Sequence, residues 1–180
     1  MLKRFMIVVI ATTLSMAVKD TRASDTLELS PDNLTQIWRN INEVILVLSA
    51  NIALDDEWIE ELRNKQPAPT PGTPDGGLAD ELAAFREKLN IILASSSLAP
   101  VAAPQENTAG GMAKSTSTLY MRSGVLLDNL IFYLIDSDSL AFAAIYYGDD
   151  DVDGASDKDV VAEINLANQR LDAFIIETGL

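Results

Sequence analysis

Four stretches of the chain carry large apolar residues at helical intervals, mostly of four and three, and this spacing constrains the fold more than any other feature. Because an α-helix turns once in about 3.6 residues, such intervals place the side chains on one face. Each apolar stripe can be buried only against the others, which predicts an all-α protein, an up-down four-helix bundle. The four stripes are Leu34, Trp38, Ile41, Ile45, Leu48 and Ile52; Leu78, Leu82, Phe85, Leu89 and Ile92; Leu119, Leu126, Leu130 and Tyr133; and Val160, Ile164, Ala167, Leu171 and Phe174.

Start and stop signals indicate where these helices begin and end. A serine followed by Pro31 is typical of a helix start, and Gly179 stands where a helix-ending glycine belongs. A shorter piece, residues 55–65, is either a separate helix or a continuation of the first. Two short apolar runs with β-forming residues, 130–135 and 143–147, leave strands open as an alternative at those places.

Two loops divide the helical part of the chain. Residues 66–77 hold four prolines, and residues 98–114 are rich in alanine, with two prolines and two glycines. We therefore expect two helical hairpins, over about 29–97 and 115–180, joined by the second loop as a linker. Both belong to a single helical-bundle domain of residues 24–180.

The two predicted hairpins resemble each other. A shift of 85 positions places four residues of the first stripe on the third, and a shift of 82 places the second on the fourth. The four are Leu34, Ile41, Ile45 and Leu48, which fall on Leu119, Leu126, Leu130 and Tyr133. The second shift also places Lys88 on Arg170. Two pairs of helices that match in the same order indicate an internal duplication. The alternative is that any two amphipathic helices can be aligned by their helical period alone.

The first segment has the composition of an export signal. Lys3 and Arg4 precede an apolar run over residues 5–18, and small residues follow, with a cleavage site after Ala23. The run is shorter than the roughly 20 residues that cross a bilayer as a helix. We expect a signal peptide over 1–23, a periplasmic or secreted protein, and no stable membrane span after the signal is removed. An uncleaved membrane anchor is the alternative.

The chain is strongly acidic. Its formal net charge is −14, and removing the four basic residues and one acid of the predicted signal makes it −17. Such a surface repels phosphate backbones, so nucleic acid is not expected as a partner. Cations and basic proteins are favoured by the same charge.

The chain contains neither histidine nor cysteine. This absence removes the Ser-His-Asp and Cys-His nucleophile systems, ordinary zinc sites and the Glu-x-x-His di-iron sites of helical bundles. Only carboxylate, hydroxyl, amide, lysine, arginine and tyrosine chemistry is left, together with a hard cation such as calcium. We therefore expect a protein that is not an enzyme.

The sharpest local motif is an acidic run that resembles the start of an EF-hand calcium loop. Asp149, Asp151, Asp153 and Asp157 occupy loop positions one, three, five and nine, and Gly154 occupies position six. Alternate acids around a glycine turn converge on one point, as a calcium ion with its six to eight oxygen ligands requires. The resemblance implies that these four aspartates are calcium ligands.

The same run departs from the EF-hand pattern. Position twelve, which supplies a bidentate glutamate in that family, is Val160, and position eight is Ser156. Asp159 or Glu163 are the substitutes within reach. The alternative is an acidic turn that caps the following helix. If calcium binds, an affinity in the roughly 10⁻⁴–10⁻³ M range of extracellular modules is expected.

Two functions agree with these features. The first is an exported, non-enzymatic helical-bundle protein that binds a protein partner, with a weak calcium loop. The second is a periplasmic carrier or sensor that holds a small apolar molecule between its helices, because the second half of the third helix is apolar nearly all round.

Overall fold

The computed structural model describes residues 29–52, 56–68, 77–103, 116–136 and 152–180. Within these ranges the chain forms helices and no strands, which confirms the all-α prediction. The helix predicted over 130–135 is confirmed and the strand alternative there is excluded; the run at 143–147 lies outside the described residues. The helices are α1 (Pro31–Ile52), α2 (Asp56–Arg63), α3 (Gly77–Ser95), α4 (Thr116–Asp136) and α5 (Asp157–Thr178).

The helix ends follow the start and stop signals. α1 begins at Pro31, and α2 is a helix of its own rather than a continuation of α1. α5 begins after Ser156 in a capping box with Asp159, which satisfies two backbone N–H groups of the first turn. It ends at Gly179, whose φ of 70° is the left-handed conformation that glycine adopts without strain.

The four predicted stripes form the hydrophobic core. Most of their residues are buried, and Leu78 and Leu119 pack against the core from partly buried positions. Near its centre the rings of Trp38 and Phe85 meet edge to face with centroids 5.0 Å apart. The indole N–H of Trp38 donates to the Ser123 hydroxyl at 2.9 Å, so this buried polar group is satisfied.

The helices of one predicted hairpin are not neighbours in the structure. α1 packs against α4 and α5, and α3 packs against the same two helices. α1 and α3 are therefore diagonal to each other, as are α4 and α5. The core closes because each half of the chain packs onto the other half.

Three of the long helices run in the same direction. Contacts between α1 and α5 join Arg39 to Glu163 and Asn42 to both Glu163 and Arg170, so higher numbers on α1 meet higher numbers on α5. Contacts between α3 and α5 follow the same order. The up-down order expected from the sequence is not found among α1, α3 and α5.

The chain between α1 and α3 accounts for this parallel order. The carbonyls of Leu62 and Arg63 accept hydrogen bonds from Arg170, and the N–H of Ala68 donates to Asn165. The segment from α2 to Ala68 therefore runs back along α5, opposite to α1. Short hairpin loops give antiparallel neighbours, whereas this longer connection returns the chain before α3 starts.

None of the described helices combines the length and apolarity that crossing a membrane would need.

Candidate functional site

One side of α4 exposes a row of large apolar side chains. Met121 is 72% exposed, Val125 48%, Phe132 64% and Ile135 50%. With Asp128 between them, these positions follow the four-three spacing of one helical face. We call these five residues the outer face of α4. Large exposed apolar rows of this kind are typical of interaction surfaces.

Core packing among the described helices does not account for this apolar face. The shift of 85 positions that relates α1 to α4 places other residue types at the corresponding places on α1. Three of them are polar, one is alanine, and the single large apolar residue is partly buried. They are Gln36, Asn40, Glu43, Val47 and Ala50. Packing of the core therefore explains the inner stripe that the two helices share but not the outer face of α4.

Exposed large apolar side chains are concentrated on α4. Four of the seven exposed large apolar side chains of the described residues belong to α4. The charged residues of this helix are only Arg122, Asp128 and Asp136, in a chain of net charge −14. Asp128 is exposed and forms no ion pair within the described residues, so its carboxylate is an unpaired charge in an apolar surrounding.

The acidic loop is described only in its second half. Asp149 and Asp151 lie outside the described residues. Asp153 is exposed, and Asp157 is the first residue of α5. Gly154 has a φ of 75°, the positive value that the glycine of a calcium loop needs for its sharp turn. No group of three acidic side chains suited to a metal occurs among the described residues.

Both substitutes for the missing twelfth ligand are engaged elsewhere. The Asp159 carboxylate accepts hydrogen bonds from the backbone N–H and hydroxyl of Ser156 at 2.7 and 2.6 Å. These bonds, the hydroxyl bond above all, lower the pKa of Asp159. Glu163 accepts from Arg39 at 3.3 Å and from Asn42 at 3.1 Å. The described arrangement therefore favours the capping role for Asp159 and a structural role for Glu163.

A cleft of about 300 Å³ lies between the first turns of α1 and the approach to α5. Its lining is mainly polar or charged and includes the Arg39–Glu163 pair and Asp153. Thr35 also lines it, and the Thr35 hydroxyl oxygen is buried without a hydrogen-bond partner. The cleft is open to solvent and offers no enclosed apolar volume for a guest molecule.

Sequence reasoning missed a buried polar group between α1 and α5. The Asn42 amide donates to the main-chain carbonyl and the carboxylate of Glu163, at 3.0 and 3.1 Å. Two turns further along α5, the Arg170 guanidinium donates to the Asn42 carbonyl at 3.5 Å. Burial lowers the pKa of Arg170, while Glu43 and Glu163 act in the opposite sense.

The same arrangement recurs between α5 and α3. The Asn168 amide donates to the carbonyl and the carboxylate of Glu81, at 3.0 and 2.7 Å, and Lys88 donates to the Asn168 carbonyl at 3.3 Å. The shift of 82 positions relates Glu81 to Glu163 as well as Lys88 to Arg170. The matched cations were visible in the sequence, whereas the asparagines that join them are not related by that shift. We call each such set of asparagine, glutamate and cation a polar rung.

Comparison with known proteins finds no matching family model, no similar curated protein and no similar solved structure.

Proposed function

We propose that this chain is an exported, non-enzymatic helical protein that binds a protein partner through the outer face of α4. The observation that carries the proposal is the row of four exposed apolar side chains, at positions where the related helix α1 has none that are both large and exposed. Burying such a row against a partner removes apolar surface from water, the main favourable term in protein association.

Two further features support binding rather than catalysis or transport. The sequence lacks the histidine and cysteine on which most nucleophile and metal catalysis depends. The cleft beside α5 is open and lined mainly by polar and charged groups, which suits an apolar guest poorly. A surface that binds a protein is therefore favoured over a carrier of small apolar molecules. The basic, apolar first segment of the sequence supports export to the periplasm or the exterior.

A site-specific crosslinking experiment tests the proposal. A photo-crosslinking amino acid replaces Val125 on the outer face in one variant and Ile91 on α3 in the matched control; both residues are 48% exposed. We expect a discrete protein adduct in the exporting cell from the first variant only. Adding Phe132→Gln to that variant should remove the adduct, because Phe132 belongs to the same face. The proposal fails if positions 125 and 91 give the same products, or if neither gives any.

We also propose that the loop before α5 binds calcium weakly through Asp149, Asp151, Asp153 and Asp157. Support comes from the alternating acids and from the positive φ of Gly154, the conformation expected at loop position six. The absence of a free twelfth ligand accords with weak rather than tight binding. A melting temperature raised by calcium and not by magnesium tests this part.

A further inference from the structure

We infer that the partner of the outer face of α4 is an amphipathic helix that places a basic side chain opposite Asp128, and that it is not a second copy of this chain. This inference rests on the proposed function of that face and specifies the chemistry of its partner.

The spacing of the face suits a helix. Met121, Val125, Asp128, Phe132 and Ile135 follow intervals of four, three, four and three along α4. Side chains at this spacing form a straight ridge, and a ridge of one helix packs against the matching groove of another. Peptides that bind as helices present anchors at the same intervals.

The charge is placed at the middle of that ridge. Asp128 lies seven residues after Met121 and seven before Ile135. A partner that covers the apolar residues also covers the carboxylate, which has no ion pair within the described residues. A carboxylate removed from water is costly unless it is paired with a cation. A lysine or arginine in the partner is therefore required at the centre.

Symmetry argues against a second copy. In a two-fold dimer the same surface is used on both chains, so a residue at the centre of the face meets its own copy. Two Asp128 carboxylates would then face each other, and like charges in contact oppose association. The net charge of −14 adds a general repulsion between copies. A basic helix is attracted both by the Asp128 carboxylate and by the net negative charge of the chain.

The test uses two synthetic helical peptides as probes. Each has leucines at four-three spacing over the length of the face, with lysine at the centre of the stripe in one and glutamate in the other. Binding to the full chain is measured by fluorescence anisotropy at low ionic strength. We expect the lysine peptide to bind about fivefold more tightly, and Asp128→Lys to reverse the preference. Met121→Gln with Phe132→Gln should abolish binding of both.

Each alternative gives a distinct result. If both peptides bind the wild-type chain equally well and neither binds the double variant, the outer face is a docking surface. In that case the inference that its partner is basic is wrong. Sedimentation that shows a dimer strengthened by Asp128→Asn overturns the inference in favour of a second copy. Absence of peptide binding, together with a melting temperature lowered by the double variant, shows that another part of this chain covers the face. That result removes the proposed function as well.

Discussion

At the scale of single residues, the contrast between paired and unpaired hydroxyls inside the bundle is the clearest feature. Ser123 is fully buried; its oxygen accepts from Trp38 and its hydroxyl donates to the Leu119 carbonyl, both at 2.9 Å. Thr35 is 1% exposed, and its hydroxyl oxygen has no partner. A buried hydroxyl without a partner keeps its desolvation cost without compensation. The two positions should respond to mutation in opposite directions.

We predict that Thr35→Val stabilises the protein and that Ser123→Ala destabilises it. Valine has the shape of threonine but no hydroxyl to desolvate, so a gain of about 1 kcal/mol in the free energy of unfolding is expected. Alanine at position 123 leaves the Trp38 N–H unpaired, which should cost about 1–3 kcal/mol. Urea unfolding followed by tryptophan fluorescence measures both. A loss of stability in Thr35→Val would show that this hydroxyl has a partner in solution.

At the scale of the secondary-structure elements, periodicity predicted α1, α3, α4 and α5 because each buries one stripe against the rest. The capped start of α5 and its end at Gly179 also followed from local chemistry. The direction of the helices did not follow. The length of a loop does not show whether the chain turns back at once or first runs along α5. The contacts that decide this, between Arg170 and the carbonyls of Leu62 and Arg63, join residues more than 100 positions apart, so no local pattern reveals them.

The candidate site was predicted only in part. The acidic run and its glycine were visible in the sequence because the EF-hand pattern is local. The outer face of α4 was not recognised, because a helix that is apolar on most sides suggests burial when its neighbours are unknown. Only the packing of α4 against α1 and α3 shows which of its apolar residues are outside.

For the loop before α5 we predict a modest, calcium-specific rise in melting temperature. At a calcium concentration about tenfold above a Kd near 10⁻³ M, binding to the folded state alone adds about 1.4 kcal/mol. Asp153→Asn should remove the rise, whereas Glu177→Gln, which neutralises an exposed acid at the other end of α5, should retain it. The melting temperature is compared in calcium, in magnesium and in EDTA. Identical values in all three would refute the calcium site.

At the scale of the whole molecule, Arg170 connects three helices. Its side chain belongs to α5, is 5% exposed as a residue, and donates to carbonyls of α1 and α2. Within the described part of the chain, Lys88, which the shift of 82 positions places on Arg170, donates to the Asn168 carbonyl and the Asp172 carboxylate of α5 and lies nearer the surface. The Arg170 side chain therefore joins α5 to two other helices, whereas these hydrogen bonds of Lys88 join α3 to one.

We predict that Arg170→Met lowers the free energy of unfolding by about 2–4 kcal/mol, because the Leu62 and Arg63 carbonyls at the end of α2 lose their donor. Lys88→Met, the matched control at the related position, should cost about 1 kcal/mol or less, since its ion pair is partly exposed. Chemical denaturation of both variants gives the comparison. Equal losses would mean that the contacts of Arg170 with α1 and α2 contribute little.

The polar rungs favour particular pairs of neighbouring helices, which the apolar stripes do not. Four stripes of the same spacing are interchangeable, so they do not specify which helix lies beside which. A rung joins α1 to α5 and another joins α5 to α3. On α3 the shift of 82 positions places Arg86 where α5 has Asn168, so this place holds a cation instead of the asparagine of a rung. The two rungs therefore favour a position for α5 between α1 and α3, an order that the apolar stripes alone do not specify.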